Sequence, residues 1–234
     1  MTSTGESDGH RVLDDLAADA THVDVDASLR AAGWAPCGVG DWAWALRAPD
    51  GRSVARISPF DPAAPYAAEL YRVAASTGQV PVLLGHRALA GGGDVTLMEH
   101  LRPVPEAEAA AFHRALASGA PEVATLVGHV RSVHARGARE QPWWGPLDDN
   151  PANVMRRDDG RLVLTDPYYA DGPRLYRAVV EDPDRVVRAY PPERRRYMTE
   201  LPLASSAAWD AEEAARMRAG LAAADARLAG SAGH

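Results

Sequence analysis

The chain changes character near residue 102, and this division constrains its architecture more than any other feature. Between Ser28 and Leu101, short apolar runs alternate with turn residues. Leu29–Trp34, Asp41–Arg47, Ser53–Ile57, Val80–Leu84 and Val95–Met98 read as strands, with Pro49-Asp50-Gly51 as a hairpin turn. One helical stretch interrupts them over Pro65–Ser76, where Tyr66, Leu70 and Val73 share a face at i, i+4 and i+7. Past Pro103 and Pro105 the chain turns Ala-rich, and the periodicity predicts helices over Glu106–Ser118, Pro121–Ala135, Pro173–Tyr190 and Ser205–Leu228. Strands gathered in one part and helices in the other predict an α+β fold: an antiparallel five-stranded sheet with one helix, then a mainly helical part. Residues 1–22 are polar without sustained periodicity and are expected to form a flexible extension with a short helix over Val12–Ala20.

Composition narrows the function classes. The 234 residues are 46% hydrophobic, enough apolar material for a core and too much for disorder. With 25 basic against 32 acidic residues and a net charge of -7, the chain lacks the basic footprint of a nucleic-acid binder. The single cysteine, Cys37, has no internal disulfide partner, and Met1–Asp8 lacks the basic and apolar parts of a signal peptide, so a cytoplasmic protein is expected. No apolar run approaches the roughly 18 to 20 residues of a membrane span. All 25 basic residues are Arg, which with the abundant Ala and Gly points to a high-G+C bacterial coding bias and excludes any mechanism that needs a lysine.

The only two asparagines, Asn150 and Asn153, lie in one short segment of Pro, Asp and Gly. Phosphoryl transfer from ATP needs a proton acceptor near the receiving hydroxyl and oxygen ligands that hold Mg²⁺ against the phosphates. Residues 148–166 contain those parts. Asp148 and Asn153 form Asp-x-x-x-x-Asn, and Asp166 stands thirteen residues on, after the apolar run Leu162–Thr165. A neutral amide between two carboxylates adds an oxygen ligand without added repulsion. A lone Asp-x-x-x-x-Asn is common and by itself reads as an Asx-turn. The weight comes from order: a helix, a loop, Asn-Pro-x-Asn, a strand, a Gly turn, a strand and Thr-Asp-Pro, behind a five-stranded region with one helix.

On these residues the chain resembles the protein-kinase-like superfamily over about residues 28–170, in particular the compact bacterial and phage kinases and the aminoglycoside-type phosphotransferases. The family's catalytic loop reads like Asp-x-His-x-x-Asn followed by a strand and Asp-Phe-Gly or Ile-Asp. Leu147-Asp148-Asp149-Asn150-Pro151-Ala152-Asn153 and Val163-Leu164-Thr165-Asp166-Pro167 occupy those places. The resemblance implies two lobes, residues 23–101 and a reduced helical lobe over 102–234, with Asp148 as catalytic base and Asn153 and Asp166 as Mg²⁺ ligands. It also implies that Gly38 and Gly40 cover the nucleotide, and that Glu99 and His100 lie on the segment that bonds adenine through its backbone. Arg56, in Val54-Ala55-Arg56-Ile57, takes the place of the family's phosphate-binding lysine, with Glu69 as its partner. This is a departure, because a guanidinium is longer, planar and forked where an ammonium is compact.

Other features read as structural. His129 and His134 stand five apart, a spacing that does not align two metal ligands on a helix face. At least one of Trp143 and Trp144 anchors the loop to the core, and Arg194–Arg196 reads as a solvated turn. Two functions follow. One is an ATP- and Mg²⁺-dependent phosphotransferase acting on a hydroxyl of a protein Ser/Thr or of a small metabolite. The other is a pseudokinase, a nucleotide-binding or scaffold module that transfers nothing. Arg56, a nucleotide-covering loop with only two of the family's three glycines, and Leu-Asp-Asp where the family usually has His-x-Asp favour the second; the joint presence of Asp148, Asn153 and Asp166 favours the first.

Overall fold

The structure is a computed structural model and describes residues 13–205 and 208–231. Helix α1 (His22–Ala31) opens with a reciprocal capping box: the Asp24 N–H donates to the Thr21 hydroxyl, and the Thr21 N–H to the Asp24 carboxylate. Its Val25 and Leu29, one turn apart, are buried against the sheet. The strand expected over Leu29–Trp34 is therefore the end of a helix, which Gly33 terminates at a φ of 84°. Residues 13–20 also depart from the expected flexible extension. Leu13 and Ala20 are buried, and the Arg87 guanidinium donates to the carbonyls of Leu13 and Leu16. The rest of that stretch, residues 1–12, lies outside the described residues.

Five strands follow: β1 (Ala35–Val39), β2 (Trp44–Arg47), β3 (Ser53–Ser58) and, after helix α2 (Ala64–Val73), β4 (Leu83–Ala88) and β5 (Asp94–Glu99). All neighbours are antiparallel, in the order β1-β2-β3-β5-β4. Alternation along β3 fixes its two faces. Ala55 and Ile57 join Leu46, Val95 and Leu97 in the core under α1, while Val54 and Arg56 point to the opposite face. On that second face Tyr66, Leu70 and Tyr71 of α2 pack with Met98 and with Val127, Val130 and Leu164 from the helical part.

The chain continues through β6 (Arg102–Pro103), α3 (Glu106–Ser118), α4 (Ala124–Glu140), β7 (Val154–Arg156) and β8 (Leu162–Leu164). Strands β6, β7 and β8 form a second, three-stranded sheet. Helices α5 (Gly172–Glu181), α6 (Pro183–Ala189), α7 (Pro192–Arg195) and α8 (Ala211–Ser231) follow. The single helix expected over residues 173–190 is broken at Pro183, which has no N–H. The Asp182 side chain caps the new helix by accepting from the Arg185 N–H. These helices enclose a separate core that includes Trp143, Leu175, Val186, Met198 and Leu221. Each aliphatic side chain in it contributes roughly 1.5–3 kcal/mol. Arg195, expected on a solvated turn, is buried and paired with Asp225 of α8, as a guanidinium withdrawn from water requires. No helix among the described residues is long and apolar enough to cross a membrane.

Candidate active site

The β7–β8 hairpin explains the spacing of the Asn and Asp motif. Its register pairs Val154 with Leu164, so the residues flanking it meet, and the Thr165 N–H donates to the Asn153 carbonyl at 2.7 Å. The Asn153 side chain then ties the site together. Its Nδ2 donates to Asp148 Oδ2 at 2.9 Å and to the Asp166 carbonyl at 3.0 Å. The other Asp148 oxygen accepts the Asn150 N–H at 2.9 Å, and the Asp148 N–H donates to the Pro167 carbonyl at 3.0 Å. Asp166 has a φ of 45°, in the left-handed region that a non-glycine residue enters at a cost. Its N–H donates to the Tyr71 hydroxyl on α2 at 3.1 Å.

Arg56 faces this group from β3. A single guanidinium nitrogen, Nη2, donates to Asp61 Oδ2 at 2.7 Å and to Asp166 Oδ2 at 3.1 Å. The Asp61 side chain is 4% exposed, and its Oδ1 accepts from the Ala63 and Ala64 N–H groups at 2.8 and 3.2 Å, at the start of α2. Burial works against the Arg56 charge, but Asp166 and Asp61 outweigh it and hold the guanidinium pKa above its ordinary value. Burial pushes the Asp61 carboxyl up while Arg56 pulls it back. Burial, reinforced by the Asp166 charge, also raises the Tyr71 hydroxyl, which stays a neutral hydrogen-bonding group.

The partner of Arg56 is thus not the one the resemblance implies. Glu69 pairs with Arg136 of α4. Tyr66, Leu70 and Tyr71 take the buried face of α2, which leaves Glu69 on the flank beside α4. Sequence reasoning misses Asp61 and Tyr71. An Asp ahead of a Pro-containing helix start is a capping signal that points to Asp61; Tyr71 looks like any core tyrosine.

These groups border a cleft of about 860 Å³ lined by both the five-stranded sheet and the β7–β8 region. Gly38, Gly40, Arg56, Glu99, His100, Asp148, Asn153 and Asp166 all border it, and Glu69 does not. A Cβ on Gly38 or Gly40 would meet nothing closer than 3.9 and 3.8 Å, and neither residue has a positive φ. The chain itself does not demand glycine there, so the missing side chains are room left in the cleft. The Glu99 carboxylate is taken by the Arg157 guanidinium, at 2.6 to 3.0 Å, and by the Val82 N–H at 2.8 Å. The Glu99 charge is therefore taken up within the protein, and its N–H donates to the Val82 carbonyl at 3.1 Å, as the His100 N–H does to the Arg52 carbonyl at 2.7 Å. Burial, with help from Arg47, lowers the His100 pKa.

Among the described residues no three His, Cys, Asp or Glu side chains cluster to hold a metal ion. Mg²⁺, however, is commonly held by one or two protein oxygens, with water and phosphate completing its shell. The donor set fits that pattern. Asn153 uses its Nδ2 and Asp166 its Oδ2 in the bonds above, and each side chain retains an Oδ1. No protein-family model and no curated protein matches this chain.

Proposed function

We propose that the protein is an ATP- and Mg²⁺-dependent phosphotransferase of the protein-kinase-like superfamily, with the five-stranded sheet and the helical part as its two lobes. It would act in the cytoplasm on a hydroxyl of a protein Ser/Thr or of a small metabolite. One observation carries the reading: Arg56 and Asp166, 110 residues apart, are bonded to each other on the cleft that Asp148 and Asn153 also line. Gly38 and Gly40 leave room for phosphate oxygens. Arg56, fixed through Nη2, would turn its remaining N–H groups to them in charge-assisted hydrogen bonds. Asp148, oriented by Asn150 and Asn153, would accept or orient the proton of the acceptor hydroxyl. Asn153 and Asp166 would hold Mg²⁺, which when bound neutralises charge on the phosphates. Asp148→Asn and Asp166→Ala should each lower ADP release from ATP by about a hundredfold or more. Wild-type turnover in Asp166→Ala rejects the reading.

A second reading takes the same pair differently. Arg56 is paired directly with Asp166 and so already neutralises a carboxylate that a metal would use. A pseudokinase built this way binds nucleotide without help from Mg²⁺ and transfers nothing. The Mg²⁺ dependence of nucleotide binding separates the two.

A further inference from the structure

The segment from the end of α7 onward, Arg194–Ser205, crosses one end of the five-stranded sheet and is fastened at three places in chain order. At the first, the β4–β5 turn packs closely on it: a Cβ on Gly92 would lie 2.0 Å from the Arg194 carbonyl oxygen, and one on Gly91 2.3 Å from the Tyr197 ring. At the second, buried His22 of α1 faces Glu200 across 3.3 Å and packs edge-on against Tyr197. The third fastening is to the turn between β1 and β2. The Leu203 N–H donates to the Asp41 carbonyl at 3.1 Å, and the Ser205 N–H and hydroxyl donate to the Asp41 carboxylate at 2.7 and 2.5 Å. The same turn is held from the other side. The Trp42 carbonyl accepts the Ser58 hydroxyl at 2.6 Å, and its ring lies 6.4 and 6.5 Å, centroid to centroid, from Phe60 and from Tyr176 of α5.

We propose that Leu203–Ser205 is a latch that positions the β1–β2 turn, with Gly40, Asp41 and Trp42, over the cleft, and that its release admits and frees nucleotide. What the cleft admits rests on the phosphotransferase reading; the latch rests on the contacts alone. Of the three fastenings, only the third is built to open. The first two bury a glycine turn and an aromatic cluster, whereas Ser205 is exposed and Asp41 half-buried, so water competes for their hydrogen bonds. Asp41 gathers the bonds of both Leu203 and Ser205, so one residue holds most of the fastening. Gly40, Asp41 and Trp42 border the cleft, while Leu203 and Ser205 do not. The strap therefore acts on the turn without touching what the cleft holds.

Two variants of the full chain break the side-chain part of the latch from opposite sides. Asp41→Ala removes the carboxylate that accepts both Ser205 bonds, and Ser205→Pro removes both of its donors while leaving the cleft lining intact; the backbone bond from Leu203 to the Asp41 carbonyl remains in each. Amide hydrogen exchange without nucleotide should then run about tenfold faster in peptides spanning residues 38–46 and unchanged in α4. With a fluorescent ATP analogue in stopped flow, both variants should raise the association and dissociation rate constants together, by about the same factor. Wild-type exchange over residues 38–46 in both variants overturns the latch. Faster exchange with unchanged nucleotide rates overturns its role as a gate. Faster exchange in the variants of a protein that binds no ATP analogue supports the latch and rejects the phosphotransferase reading instead.

Discussion

Replacing Asp61 by Asn removes one negative charge and turns the oxygen that accepts from Arg56 Nη2 into an amide NH2, while the Asn side-chain oxygen still accepts the Ala63 and Ala64 N–H groups that Asp61 Oδ1 now accepts. The ion pair it breaks is buried, with side chains 17% and 4% exposed for Arg56 and Asp61. Breaking a buried pair by removing one partner typically costs about 3–5 kcal/mol. Arg56 keeps Asp166 as a second partner at 3.1 Å, which lowers the expected loss to about 2 kcal/mol. For a chain of this length that loss corresponds to a drop of about 4–8 °C in Tm. Glu69→Gln is the control. Its pair with Arg136 is 30–40% exposed and contributes less than about 1 kcal/mol. Calorimetric melts of both variants beside the wild type decide the matter. Equal melting shifts, or a larger shift for Glu69→Gln, would refute the assignment of Asp61 as the partner that holds Arg56.

Burial lowers the His22 pKa against the opposing pull of Glu200, so below about pH 6.5 the unfolded chain takes up a proton that the folded one resists. This contribution to stability is complete above that pH and is lost as the pH falls toward the lowered folded value. Urea midpoints should decline between pH 7.5 and 5.5 more steeply in the wild type than in His22→Gln, and parallel declines would contradict the sign. Gly137→Ala should destabilise, although such a change in a helix ordinarily gains up to about 1 kcal/mol. The new Cβ would lie 2.4 Å from the Trp144 ring, which is packed on Tyr66 and Tyr168, and overpacking of this kind costs about 1–3 kcal/mol. A raised melting temperature for Gly137→Ala would show that Trp144 yields freely.

What could be read from the sequence is what short-range pattern encodes. Asp148, Asn153 and Asp166 belong to one loop and one hairpin, so their meeting follows from local turn chemistry and register. Helix α3 runs over Glu106–Ser118 as its periodicity predicts, and β2, β3 and β5 lie on runs expected as strands, whereas β1 forms at Ala35–Val39, where no strand is expected, and β4 begins at Leu83, within the run expected from Val80. Helix α1 is hidden because its stripe is only His22, Val25 and Leu29 among polar residues; the Thr21 and Asp24 capping box is its better signal. Ion-pair choice is harder, because it is settled by which face of an element packs inward. Glu69 lies on the expected helix but on the wrong flank, and Arg195 finds Asp225 thirty residues away on α8. The bonds between Asp41 and Ser205 span 164 residues and leave no periodic trace.

The central claim is that Arg56, Asn153 and Asp166 form a nucleotide site completed by Mg²⁺. Titration calorimetry of ATP into the wild type and into Asp166→Asn, with and without Mg²⁺, tests it most directly. The phosphotransferase account predicts that Mg²⁺ tightens ATP binding to the wild type by about tenfold or more, and that Asp166→Asn loses this increment while remaining folded. Absence of ATP binding, or binding that is indifferent to Mg²⁺ in both proteins, would contradict it.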